Sequence, residues 1–280
     1  MKTGRRLLFA AAALAALDVG RRLYRQSQLF NPERTPVKSW DPADYGIDPA
    51  LVDEHWIPTK DGETLHAWYC RAPRPKASGI FCHGNRANLT LSADIIPHLH
   101  RAGLSILFFD YRGFGRSSGR PTVAGVLSDA RTAARFHDTL RPPDLPSILY
   151  GFSLGGAVAA QVICGHPFDG LILQSTFTSL TDLTRVLYPR APMHLLAGRL
   201  FDTLNVVRKL EVPLLVLHGT HDEVAPCTMA HVLHDACPGQ KRIQPVEGGM
   251  HNDIWARDPE TLVSALSEFI DDLRDRVQRP

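Results

Sequence analysis

The sequence predicts one α/β domain with a mostly parallel central sheet flanked by helices. Two observations carry this. Apolar runs of strand length, at residues 79–82, 104–109, 170–174 and 214–217, alternate with stretches of helical periodicity. The runs are also unbroken, as expected of strands covered on both faces rather than one. Strand and helix in alternation imply parallel pairing through right-handed crossovers, which gathers reacting groups at the carboxyl ends of the strands.

The chain has 280 residues, 44% hydrophobic and 21% charged, the composition of a globular protein with a large core. The formal charge of +2 is unevenly spread. Residues 1–34 hold seven Lys or Arg against two Asp or Glu, so they carry +5 and leave −3 on the remainder. No basic patch in the body of the chain reads as a nucleic-acid site.

Taken in order, Lys2, Arg5 and Arg6 precede an apolar run from Leu7 to Leu17. Eleven residues are too few to cross a bilayer as a straight helix, but they suit the apolar region of a signal peptide. Ala13-Leu14-Ala15 would serve as a cleavage signal, whereas Arg21, Arg22 and Arg25 would extend a helix along an anionic membrane surface. Residues 1–25 are therefore expected to be a signal peptide or an anchor, with membrane contact there and an exported or membrane-associated location. Residues 26–50, with four prolines among polar residues, are expected to be an extended linker.

The domain should then span 51–280. Val52–Pro58 and Leu65–Arg71 read as a hairpin about Asp61-Gly62. A helix is expected over 89–101 despite Pro97, and another over 122–139 with Val123, Val126, Leu127, Ala130, Ala134 and His137 on one face. Residues 176–209 are too long for a plain connection and read as a short helical lid between strands 6 and 7. A helix near 226–236, a strand near 242–246 and a last helix over 259–277 follow. Asp258-Pro259 opens the last helix, and Leu262, Leu266, Phe269, Ile270, Leu273 and Val277 form its stripe. Of the five cysteines, Cys70, Cys82 and Cys164 are expected to be buried hydrophobes, while Cys227 and Cys237 would be free to pair in an exported domain.

Gly151-Phe152-Ser153-Leu154-Gly155 lies between a strand and a stretch of small residues that should form a helix. A serine at the apex of such a turn is exposed and aimed, and Gly151 and Gly155 leave room where the backbone crowds. Gly115-Arg116-Ser117-Ser118-Gly119 fits the same pattern, but Pro121 delays any helix after it, so Ser117 is expected to be an ordinary loop serine. A serine nucleophile needs a base and a group to orient that base. Asp222 and His251 supply them, each in a loop after a strand and in the order serine, acid, histidine. Glu223 competes as the acid but is expected to point outward, and His221 to be a wall residue. The backbone N–H groups of Leu154 and Asn85 are the candidates for holding a developing oxyanion, with His83 and Gly84 shaping the loop that carries Asn85. No metal motif, phosphate-binding loop or dinucleotide fingerprint is present, and no cofactor is expected.

Together with Phe109-Asp110-Tyr111-Arg112-Gly113-Phe114-Gly115 and His218-Gly219-Thr220-His221-Asp222-Glu223, these segments resemble the α/β-hydrolase superfamily over roughly residues 50–275. The likeness is to the compact branch that holds serine-aminopeptidase-like (S33-type) hydrolases and membrane-tethered acyl-protein thioesterases. It implies an α/β-hydrolase fold and a serine hydrolase, and a structural role for Asp110 to Gly119 near the site. The cysteine cluster that the eukaryotic depalmitoylating members carry before the domain is absent, since no cysteine precedes Cys70. The expected partner is a small-molecule or acylated substrate, with an ester or thioester bond and an apolar acyl group. An aminopeptidase with the same triad and a non-catalytic binding protein are the rival readings. The amino-acid pattern is silent on oligomeric state.

Overall fold

The computed structural model describes residues 29–190 and 200–278. The expected signal or anchor at 1–25 and the middle of the expected lid, 191–199, lie outside the described residues. Eight strands form the main sheet: β1 (Val52–Pro58), β2 (Thr64–Cys70), β3 (Ala77–Cys82), β4 (Leu104–Phe109), β5 (Ser147–Phe152), β6 (Gly170–Gln174), β7 (Leu214–Gly219) and β8 (Lys241–Val246). Their spatial order is β8-β7-β6-β5-β3-β4-β2-β1. The pairs from β8 across to β4 are parallel, and β2 runs antiparallel to both its neighbours. This is the mostly parallel α/β-hydrolase sheet that the sequence predicts.

Every residue of β3, β4, β5, β6 and β7 is buried, which is why their runs show no polar alternation. β8 is an edge strand and only Val246 is fully buried. Gly62 turns the β1–β2 hairpin at φ +90°.

Two core layers cover the sheet. α2 (Val123–Leu140), α3 (Leu154–Ile163) and α6 (Cys227–Ala236) fill one, with α1 (Ile96–Arg101), the single turn α7 (Ile254–Arg257) and α8 (Pro259–Gln278) on the other. The helix expected over 89–101 is divided: a 3-10 helix covers Leu89–Ile95, and α1 begins where Pro97 can occupy a first turn. α8 buries Leu262, Leu266, Phe269, Ile270 and Leu273, but Val277, in its last turn, is 45% exposed. In the expected lid, between the sixth and seventh strands of this sheet, the described residues hold two short helices, α4 (Leu180–Leu187) and α5 (Thr203–Val207).

The expected linker differs from an extended connection. Leu29 and Phe30 are buried in one core layer, and Tyr45 and Ile47 in the other. Pro42 and Pro49 each open a 3-10 turn, capped by the side chains of Asp41 and Asp48. All five cysteines are free, so Cys227 and Cys237 are unpaired. Cys70 and Cys82 are buried as expected, but Cys164 is exposed, because it caps the outer end of α3 rather than lying within it.

Candidate active site

Ser153 joins β5 to α3 with φ +53° and ψ −120°, a conformation in which L-residues are strained. Bonds on both sides hold it there. Its N–H donates to Gln174 O at 2.9 Å, and the Thr176 hydroxyl donates to Ser153 O at 2.7 Å. The turn is tight enough to exclude side chains: a Cβ on Gly155 would lie 1.9 Å from Cys82 O, and one on Gly151 would lie 2.4 Å from Gly155 O. Sequence reasoning finds the glycines but misses Gln174 and Thr176, whose only signal is their place at the end of β6.

Asp222 follows β7, and its loop folds around its own carboxylate. Oδ1 accepts from Val224 N at 2.9 Å and Ala225 N at 2.8 Å, a local turn that short acids favour. Oδ2 is left to face two imidazoles. His251 Nδ1 is 2.9 Å away and His218 Nε2 is 3.1 Å away. His218 Nε2 also lies 2.7 Å from Ala225 O, so the N–H on that nitrogen locks the loop. Burial alone would push the Asp222 carboxyl up. Hydrogen bonds from His218 and His251, with the charge His251 takes on, instead hold it well below the usual carboxylate range.

His251 sits in the loop after β8, where Gly248 adopts φ +65° and the Gly249 carbonyl accepts from His221 N at 2.9 Å. That contact ties the histidine loop to the acid loop. Its imidazole Nε2 is 3.0 Å from Ser153 Oγ, so the structure brings Ser153, His251 and Asp222 into one hydrogen-bonded line. Glu223 is exposed as expected, yet its carboxylate accepts the backbone N–H of His251 at 3.1 Å. His221 is exposed and does not line the cavity above Ser153.

That cavity has a volume of about 600 Å³. Ser153, His251, Leu154, Gly84 and Asn85 line its base, and Leu29, Leu91, Phe152, Phe177, Leu180, Leu183 and Leu187 supply most of its apolar wall. α4 turns Leu180, Leu183 and Leu187 to it, at helical spacing. Leu154 is the first residue of α3, where a backbone N–H has no helical acceptor.

His83 is buried, and its Nδ1–H donates to Gly84 O at 2.8 Å, which fixes the turn before Asn85. Burial holds its imidazole below the ordinary range, against the pull of Asp110. A Cβ on Gly84 would meet the Phe152 ring at 3.3 Å. Ser117 is far from this chemistry in kind: fully buried, it donates to Asp110 O at 2.7 Å and accepts from His66 N at 2.9 Å. Among the described residues no cluster of three or more His, Cys, Asp or Glu is placed to hold a metal ion.

A family model described as "Serine aminopeptidase, S33" matches residues 73–207, a stretch that includes Ser153 and stops before Asp222 and His251. The chain is 33% identical over 270 residues to an uncharacterised protein of Mycobacterium tuberculosis, covering 93% of each. It is 30% identical over 203 residues to human alpha/beta hydrolase domain-containing protein 17B, covering 70% of this chain and 68% of the human one. In shape it is similar to an esterase of Pyrococcus furiosus, with a TM-score of 0.70 at 19% identity, covering 87% of this chain and 98% of that one. At that identity the likeness speaks to the fold alone.

Proposed function

Because the chain belongs to the α/β-hydrolase family, we propose that it is a serine hydrolase cleaving carboxylic esters or thioesters that carry an apolar acyl group. One observation carries the reading: the Ser153–His251–Asp222 line, with spacings of 3.0 and 2.9 Å, opens into an apolar cavity. In this reading Ser153 Oγ bonds to the acyl carbon while its proton passes to His251 Nε2. The carbonyl electron pair moves onto oxygen, where the N–H groups of Leu154 and Asn85 hold it. Collapse breaks the bond to the leaving alcohol or thiol, which takes the proton from His251. Water then attacks the acyl-enzyme by the same route and frees the acid. Asp222 stays anionic throughout and keeps the His251 Nδ1–H in place, so that Nε2 is the basic nitrogen.

An aminopeptidase with the same triad would need a carboxylate to meet a free amine. Asp182 is occupied by the hydroxyls of Thr178 and Ser179, and Asp202 caps α5 through Asn205 N. Neither lines the cavity, and no other acid does among the described residues. An acyl group therefore suits the wall better than an amino terminus.

Membrane contact belongs to the same proposal. Its support is the cationic and apolar sequence of residues 1–25; among the described residues no helix is long and apolar enough to cross a membrane.

The test is labelling with an active-site-directed fluorophosphonate. The wild-type protein should be labelled and Ser153→Ala should not; labelling that persists in the variant overturns the assignment. Turnover of p-nitrophenyl acyl esters, with none of aminoacyl anilides, separates the two substrate classes.

A further inference from the structure

Residues 29–37 enter the domain against the loops that frame the cavity. Leu29 is buried and forms part of the cavity wall. Asn31–Pro32 then pairs in parallel with Arg86–Ala87, and Asn31 N–H donates to Asn85 O at 2.8 Å. Asn85 is the residue whose own N–H is assigned to the oxyanion above. The segment is riveted further along: buried Asn88 donates from Nδ2 to Glu33 O at 3.1 Å and Thr35 O at 2.6 Å, and Glu33 O also accepts from Gly115 N at 2.9 Å. Beneath it the Phe30 ring packs edge-on against Phe114, which packs against His83, two residues before Asn85.

We propose that residues 29–35 are a strap that positions the oxyanion loop and supplies one wall of the acyl site, so that the segment belongs to the active site and not only to a connection. The inference rests on the serine-hydrolase reading. The physical argument is that Asn85 and Arg86 are exposed, so the domain's own packing does not fix them, and an N–H is useful to an oxyanion only if it is aimed before the charge develops. Fixing the Asn85 carbonyl from one side, and the loop's start from below through His83, supplies that aim. Asn31 acts through Asn85 and is a positioning residue. Leu29 touches the cavity directly and sets its depth.

The test uses the full chain. Asn31→Pro removes the donated N–H at an exposed position, and Asn31→Ala keeps it. With a butyryl ester, Asn31→Pro should lower kcat by about tenfold or more, less than the about 100–1000-fold that follows outright loss of an oxyanion donor. KM and the melting temperature should hardly move, and Asn31→Ala should match the wild type. A kcat unchanged in Asn31→Pro, or equally reduced in Asn31→Ala, overturns the strap. If Asn31→Pro is destabilised, Leu29→Trp decides. It should lower kcat/KM for a dodecanoyl ester by about tenfold relative to a butyryl ester, and an unchanged ratio overturns the wall. A wild type with no ester turnover would instead count against the serine-hydrolase reading itself.

Discussion

Asp222→Asn changes one atom and sets four donors against an amide. The carboxylate accepts from Val224 N and Ala225 N on Oδ1, and faces His251 Nδ1 and His218 Nε2 on Oδ2. An asparagine NH2 has to face one of these pairs. Turned toward Val224 and Ala225, it opposes two backbone N–H groups that cannot move without unfolding the loop. Turned toward the imidazoles, it meets His218, whose Nε2–H still has Ala225 O at 2.7 Å, and His251, whose Nδ1 is left with the remaining Oδ1 at 3.0 Å, an oxygen already taken by the Val224 and Ala225 N–H groups. His251 then takes the tautomer with Nδ1 bare and Nε2 protonated, and Nε2–H cannot accept the Ser153 proton at 3.0 Å. The wrong tautomer in a serine triad costs about 10⁴-fold in kcat, or about 5 kcal/mol of transition-state stabilisation. The assay is kcat for a p-nitrophenyl butyrate with Asp222→Asn and Glu223→Gln side by side. Among the described residues Glu223 accepts just the His251 backbone N–H, which glutamine oxygen can also do, so that variant should stay within about tenfold of wild type. A smaller loss in Asp222→Asn than in Glu223→Gln would refute the assignment of the acid.

Two further outcomes test the frame around the site. Ser117→Ala leaves the buried His66 N–H and Asp110 carbonyl without this partner, which should cost about 1–3 kcal/mol in denaturant unfolding while kcat stays within a few-fold. A large loss of kcat with full stability would move the chemistry to the other serine. His137, buried with Ser78 Oγ at 2.8 Å, is held down to about 3 by desolvation, with Arg141 adding to the shift. Since the unfolded chain binds that proton below about pH 6.5 and the folded one does not, stability should fall as pH drops from 6.5 toward 3, by about 1.4 kcal/mol per unit at the steepest. His137→Gln removes this group's contribution, so its urea midpoint should fall less than the wild type's between pH 7 and pH 5; equal falls would show that other groups carry the acid sensitivity.

What the sequence makes legible depends on how local the cause is. The runs at 104–109 and 170–174 become β4 and β6 with the expected bounds, because burial on both faces leaves no polar position to blur them. Asp258-Pro259 announces α8, and Asp258 Oδ1 does accept from Thr261 N. The same pair at Asp41-Pro42 and Asp48-Pro49 also caps turns, yet reads as linker, since each turn is only three or four residues long and has no apolar period. The strap is illegible for a different reason. Its partners Asn85, Asn88 and Gly115 lie more than 50 residues away; the bonds to Asn85 and Gly115 are backbone to backbone and leave no trace in side-chain type, and the Asn88 amide reaches carbonyls that any residue carries. His218 and Thr176 are missed because each acts by clasping another residue's backbone or carboxylate, a task many polar residues can fill.

The two G-x-S-x-G copies show what the motif contains physically. Both glycine pairs permit tight backbone, but the loops differ in what the serine's own oxygen is left to do. Around Ser117 the chain curls back on itself, with Gly113 N–H donating to Ser118 O at 2.7 Å, so the hydroxyl is enclosed and spends both its capacities on the Asp110 carbonyl and the His66 N–H. At Ser153 the helix starts on the next residue, and Gln174 and Thr176 take the backbone N–H and carbonyl. The hydroxyl is left half-buried, with His251 Nε2 at 3.0 Å. A serine whose backbone is satisfied by neighbours and whose hydroxyl is left to a base is one that can react. Pro121, which keeps helix away from the first copy, is the feature of the sequence that separates them.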